Sequence, residues 1–329
     1  LLHLFFVCMK KNISILFVLL FGFLFSACNL NSDADVSVDD SQLRVLVSVL
    51  PQKYFVEQIG GEYVNVEALV GPGYAPETFE PTPETLKMVS NADAYFRIGH
   101  IGFEKTHLDE LTEVNPDLLV VDTSQGLQLR TLEAHSHDDE DDHGNEEDHD
   151  AAHSEEEDLH EDEHGHEEDE IDPHVWLNPV MVISQIGLIT DTLVELDPER
   201  EDVYRENQQQ FVAELEALDE VLSQTFAPME GETILVYHPA FGYLADQYGF
   251  IQEYFEIEGK EPTPADIQSV IDIAKDDGVS VVFVQKQFST ASAEVIAKEI
   301  GGKVVSLDPL AENYVDNMRD MASQIADSR

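Results

Sequence analysis

Between residues 135 and 172 the chain carries eight His and 21 Asp or Glu and not one Lys or Arg. No stretch of that composition can bury a core, so it is expected to be a disordered insertion, and any fold must be assembled from the segments on either side of it. The excess of acid extends to the whole chain: 17 Lys and Arg stand against 68 Asp and Glu, a formal charge of −51 over 329 residues. A surface of that sign disfavours a phosphate backbone, which argues against nucleic acid as a partner and makes cations its natural ligands. The length is enough for two lobes with a cleft between them.

The N-terminal region reads as an export signal. Met9-Lys10-Lys11 is followed by an apolar run from Ile13 to Phe25 and then by Ser26-Ala27-Cys28. That run is short for a membrane span and ends on small residues suited to cleavage, so residues 1–28 are expected to be a signal peptide that starts at Met9. Leu24-Phe25-Ser26-Ala27-Cys28 resembles a bacterial lipobox, with Phe25 where Leu is usual, which makes Cys28 the expected lipidation site. Ordinary secretion is the alternative. After Cys28 there is no further cysteine, so the mature chain has neither an intrachain disulfide nor a thiolate ligand, and any metal site must draw on His, Asp and Glu. Residues 29–42 are small, polar and acidic, as a flexible tether would be.

From Leu43 onward short apolar runs alternate with helical patterns, the signature of βα units and parallel sheets. The expected strands are 43–50, 63–70, 94–98 and 118–121 in the first half and 233–237, 251–255, 279–284 and 303–307 in the second. Thr82-Pro83-Glu84 and Thr263-Pro264 read as helix starts, a capping hydroxyl followed by proline at the first helical position. Between the halves, residues 197–226 repeat Tyr204, Phe211, Leu215, Leu218, Leu222 and Phe226 at three-, four- and seven-residue steps. These form one continuous apolar face on a helix about 40 Å long, enough to cross two lobes. The expected class is α/β: an N-terminal lobe over 43–196 that holds the insertion, a linking helix over 197–226 and a C-terminal lobe over 227–329.

Four motifs set a metal-capable side chain beside rigidifying Pro or Gly. Glu77 lies in Gly71-Pro72-Gly73-Tyr74-Ala75-Pro76-Glu77, just after a strand, and His174 lies in Asp172-Pro173-His174, ahead of the cap and first residue of a helix, Asn178-Pro179. His238 ends the strand 233–237 and Asp308 ends the strand 303–307, the carboxyl ends at which open parallel sheets bind ligands. Singly each has a bland reading as a cap, a core histidine or a turn. Together, two imidazoles and two carboxylates suit a closed, tetrahedral zinc site. His100 follows the third strand and is a further candidate as an auxiliary ligand. His135, His137, His143, His149, His153, His160, His164 and His166 are expected to be weak zinc binders, since neutral imidazole is a good zinc ligand.

With these four ordered motifs the chain from Leu43 onward resembles the zinc- and manganese-binding receptors of bacterial ABC importers, the ZnuA/TroA-like group. The resemblance implies two α/β lobes joined by a long backbone helix, a metal in the cleft and the His-rich insertion on the first lobe near the cleft mouth. By motif, His174, His238 and Asp308 take the second, third and fourth ligand positions. The first motif departs, because the family usually has His where this chain has Glu77. A carboxylate is the harder ligand and would be at home with manganese, whereas His238 and the His-rich run lean towards zinc.

The function this implies is capture of Zn2+, or alternatively Mn2+, outside the cytoplasmic membrane and its delivery to an ABC permease and its ATPase by a lipid-anchored monomer. A surface zinc buffer or adhesin is the alternative reading. A metallohydrolase is the weaker one, because the chain's His-Glu-x-x-His string at 160–164 falls in the acidic run and not on an expected helix, no Gly-x-Ser-x-Gly elbow occurs, and four ligands would leave no vacant position for water.

Overall fold

The computed structural model describes residues 42–132, 170–256 and 262–328. The signal peptide, Cys28, the tether up to residue 41 and the eight histidines from 135 to 166 lie outside the described residues.

The first half is a βα series: β1 (Leu43–Val47), α1 (Leu50–Gly60), β2 (Val64–Ala68), α2 (Pro83–Val89), β3 (Ala94–Arg97), α3 (Gly102–Val114) and β4 (Leu119–Asp122). Its four strands are parallel in the order β2-β1-β3-β4, with Val45 opposite both Val66 and Ala94. Val45, Leu46 and Val47 are buried, as parallel strands covered by helices on both faces must be. The apolar run continues to Leu50, yet the strand ends at Val47. Pro51 has no amide to give to a ladder and its fixed φ suits a first helical turn, so Leu50 opens α1, and Gln52 Oε1 accepts from Ser48 N at 3.0 Å.

Two helices link the halves, α4 (Pro179–Leu196) and α5 (Glu201–Phe226), the latter preceded by a 3-10 turn at Pro198–Arg200. The six apolar residues spaced along α5 are its buried ones. Each contributes roughly 1.5–3 kcal/mol relative to exposure. The helix touches both halves: Phe211 lies 6.0 Å from Phe55 on α1, and Phe226 lies 5.0 Å from Phe250, beside the second sheet. At 1.5 Å per residue its 26 residues span about 39 Å.

The second half repeats the first with β5 (Thr233–Val236), α6 (Gly242–Tyr248), β6 (Ile251–Tyr254), α7 (Pro264–Asp276), β7 (Val281–Gln285), α8 (Ala291–Ile300) and β8 (Lys303–Leu307), then α9 (Tyr314–Ala326). Its order, β6-β5-β7-β8, matches the first sheet position for position. Thr82 and Thr263 cap α2 and α7 as the sequence suggests, accepting from Thr85 N and Asp266 N. A single apolar cluster runs through both halves, from Val47 and Phe96 to Val236 and Phe283. The C-terminal helix returns to the first half, where Tyr314 meets Phe55 edge-on at 4.8 Å. Two halves sharing a core and a spine have little freedom to hinge.

Candidate metal centre

Each candidate donor is held by backbone before any side-chain chemistry begins. After β2 the chain turns through a 3-10 segment, Pro76–Thr78, that carries Glu77, and Phe79 anchors the turn on Phe103 at 5.1 Å. His174 precedes a second 3-10 segment, Val175–Leu177, and Asn178 then caps α4, its Oδ1 accepting from Val180 N at 2.9 Å. His238 follows β5, where Gln285 of β7 brackets it by accepting from His238 N and donating to His238 O at 2.6 Å. His174 and His238 are 3% and 8% exposed.

These three side chains converge. His174 Nε2 lies 3.2 Å from His238 Nε2, and Glu77 Oε1 lies 3.7 Å from the first and 3.3 Å from the second. Four ligands at about 2.0–2.1 Å around a tetrahedral ion stand roughly 3.3 Å apart, a spacing close to that of these three atoms. Glu77 Oε2 is shielded from solvent and has no hydrogen-bond partner, a buried acceptor that a cation would satisfy. The pocket they line with Trp176, Ala240, Phe288 and Leu310 measures about 10 Å³, space for an ion or a water.

Outer partners fix the two imidazoles. His174 Nδ1 donates to Asp172 Oδ1 at 2.7 Å and His238 Nδ1 donates to Glu256 Oε2 at 2.8 Å, so that each ring, once neutral, turns its Nε2 lone pair to the site. Trp176 and Phe288 pack on the rings at 5.2 and 5.3 Å, and Trp176 Nε1 donates to Pro309 O, tying the first half to the second. The electrostatics are those of a site waiting for positive charge. Burial pushes the Glu77 carboxyl up, but hydrogen bonds from His174 and His238 outweigh it and hold it well below the usual carboxylate range. Burial opposes the His238 imidazolium, yet Glu256 and Glu77 prevail and its pKa is pushed up to about 9. His174 is raised too: burial lowers it, and hydrogen bonds to Asp172 and Glu77 more than compensate.

Asp308 lies outside this group of donors. Its Oδ2 pairs with Lys286 Nζ at 3.2 Å, and its Oδ1 accepts from Gln287 Nε2 and Leu310 N, each at 3.2 Å. It faces a neighbouring cavity of about 260 Å³ lined also by Gly71, Pro72 and Gly73, and Gln287 and Leu310 line both cavities. His100 is likewise outside the group; desolvation by burial lowers its pKa. Sequence reasoning did not single out Asp172, Glu256 and Gln285. Asp172 could have been found, since it opens the Asp-Pro-His motif two residues before the imidazole it holds. Glu256 and Gln285 are 18 and 47 residues from His238 and are brought to it only by the pairing of β5 with β6 and β7.

Residues 45–328 match the family described as zinc-uptake complex component A, periplasmic. The high-affinity zinc uptake system protein ZnuA of Bacillus subtilis (strain 168) is 29% identical over 97% of this chain and 98% of its own length. The manganese-binding lipoprotein MntA of Halalkalibacterium halodurans is 28% identical over 94% of this chain and 96% of its own. Among solved structures, a ZnuA deletion mutant with zinc bound superposes with a TM-score of 0.73 at 35% identity, covering 87% of this chain and 98% of that one.

Proposed function

The chain belongs to the ZnuA family of periplasmic zinc-uptake components, and on that footing we propose that it captures Zn2+ outside the cytoplasmic membrane and hands it to an ABC permease driven by its ATPase. The observation that carries this reading is the triangle of Glu77 Oε1, His174 Nε2 and His238 Nε2 at 3.2–3.7 Å. Two imidazoles favour zinc over the harder manganese, while Glu77 keeps Mn2+ as the alternative cargo. Asp308 serves as fourth donor by leaving Lys286, which would make a divalent ion with two carboxylates and two imidazoles neutral. The two α/β lobes, 43–196 and 227–329, are carried by the spine 197–226, and the histidines of 135–166 collect zinc weakly beside the tight site. The chain acts as a monomer held to the membrane through lipid on Cys28. We read it as a carrier and not an enzyme, on the family it belongs to and on a donor set that the fourth carboxylate would close.

Zinc titration against a competing chelator tests the reading. The expected result is one tight site in the full chain, lost in both His174→Ala and His238→Ala. Tight binding that survives both substitutions would remove this cluster as the capture site.

A further inference from the structure

Arg130 sits where three parts of the molecule meet. Its carbonyl accepts from Asp172 N at 3.0 Å, Thr131 bridges Ile171, and Leu132 N donates to Glu170 O at 2.6 Å. The segments on either side of the His-rich run are therefore joined by one antiparallel bridge, and the second of them runs directly into Asp172 and His174. The Arg130 side chain reaches the other way. Its Nη1 lies 3.5 Å from Asp172 Oδ2, and its Nε lies 3.2 Å from Asp246 Oδ2 on α6. Arg130 N donates to Tyr243 Oη at 3.1 Å, and that hydroxyl donates to Asp172 O at 2.9 Å. Gly242 is what lets the guanidinium in: a Cβ there would overlap Arg130 Nη1 and press on Asp172 Oδ2.

Asp172 is fully buried, and its Oδ1 holds both His174 N and His174 Nδ1. We infer that Arg130 is a positioning residue for the metal site, clamping Asp172 between the base of the His-rich segment and the second half so that His174 meets His238 at the right spacing. The inference rests on the reading of His174 as a zinc ligand. A guanidinium can hold two carboxylates at once in a planar fork, which a lysine cannot, and here the two carboxylates come from opposite halves of the molecule. His174 and His238 do too. Without the guanidinium, Asp172 Oδ2 becomes a buried charge with its cation gone, and the carboxylate that orients His174 loses its outer anchor. Removing an outer partner of a ligand of this kind weakens metal binding by about 10–100-fold.

The test uses the full chain with Arg130→Met, Arg130→Lys and Gly242→Ala, and His174→Ala as reference. Three readings are taken: zinc affinity by chelator competition, the visible spectrum of the Co2+ form, which reports ligand geometry, and the melting of the metal-free protein. Arg130→Met is expected to bind zinc about tenfold more weakly or worse with a shifted Co2+ spectrum. Gly242→Ala should resemble it, and Arg130→Lys should recover part of the loss. A folded Arg130→Met with wild-type affinity and wild-type Co2+ spectrum, beside a His174→Ala that has lost tight binding, overturns the inference and leaves the site standing. Tight binding in His174→Ala overturns the site itself. Should Arg130→Met not fold, Asp246→Asn decides, since that carboxylate is exposed and removing it spares the core. A loss of about threefold with a shifted spectrum supports the clamp, and native values for both refute it.

Discussion

Zinc entering this site must first displace protons, and the structure says how many and at what cost. An imidazole binds metal only when neutral, yet the His238 pKa stands at about 9 beside Glu256 and Glu77, so at pH 7 about 99% of that ring is protonated. A gap of two pH units sets the penalty on the order of 3 kcal/mol, about a hundredfold in affinity relative to the fully neutral ring. Affinity should therefore rise about tenfold per pH unit through neutrality, and more steeply on the acid side, where the raised His174 also takes a proton. The metal-free protein should behave oppositely on the alkaline side. His238 is raised above its ordinary 6.5, so its pairing adds stability that is full below 6.5 and disappears as pH climbs through about 9. Glu77 is lowered from 4.5, so its share is present above 4.5 and fades as the solution is acidified. Chelator competition from pH 6 to 9, with calorimetry at pH 7 in two buffers of different ionisation heat, reads the displaced protons directly. At least one proton per zinc is expected at pH 7. A flat affinity profile with none released would mean that the imidazoles are neutral before zinc arrives, and the reasoning from Glu256 and Glu77 would fail.

Glu77→Ala should weaken zinc by one to a few kcal/mol, roughly ten- to a few hundred-fold, while Glu77→His keeps zinc and loses manganese; competition titrations with both metals on the three proteins read this out. Lys286→Met should tighten zinc two- to fivefold and Asp308→Asn should weaken it about tenfold, the double variant following Asp308→Asn alone; an unaltered affinity in Asp308→Asn would leave the fourth vertex to water. Labelled fatty acid should enter the full-length protein in cells and not its Cys28→Ser variant, and equal labelling of the two would exclude the anchor.

Much of the architecture was legible because it rests on short-range signals. Apolar runs bounded by Gly and Pro gave all eight strands within a few residues, Thr-Pro pairs marked two helix starts, and the spacing from Tyr204 to Phe226 named the buried face of α5 residue by residue. Strand ends were the weak point. Leu50 is as apolar as Val47, and only the demand of Pro51 for a helical turn separates them. The convergence of Glu77, His174 and His238 follows from related signals: each sits beside Pro, Glu77 and His174 at 3-10 turns and His238 just past β5, and the folding of the two sheets brings them together. Asp308 has the same local signature, but what its carboxylate contacts depends on Lys286 and Gln287, neighbours that only the β7–β8 pairing reveals. No local pattern announces that Arg130 reaches Asp172 and Asp246 together, since the first lies 42 positions further along the chain and the second more than a hundred.

A carrier has to bind tightly and still let go, and the site separates the two demands among its donors. Glu77, His174 and His238 are preset by buried or backbone-anchored partners, so on the proposed reading zinc would meet three donors without reorganising the fold. The remaining carboxylate of the second half is engaged in a partly exposed ion pair, with Lys286 61% accessible, and such pairs contribute only about 0–1 kcal/mol. As the proposed fourth donor, Asp308 would give up the Lys286 pair and keep or exchange the bonds from Gln287 and Leu310, whereas withdrawing His174 would mean breaking the Asp172 bonds and the Arg130 clamp together. With Asp308 as the proposed fourth donor, release would start there, on the side of the larger cavity, and would leave the imidazole pair in place to be reprotonated.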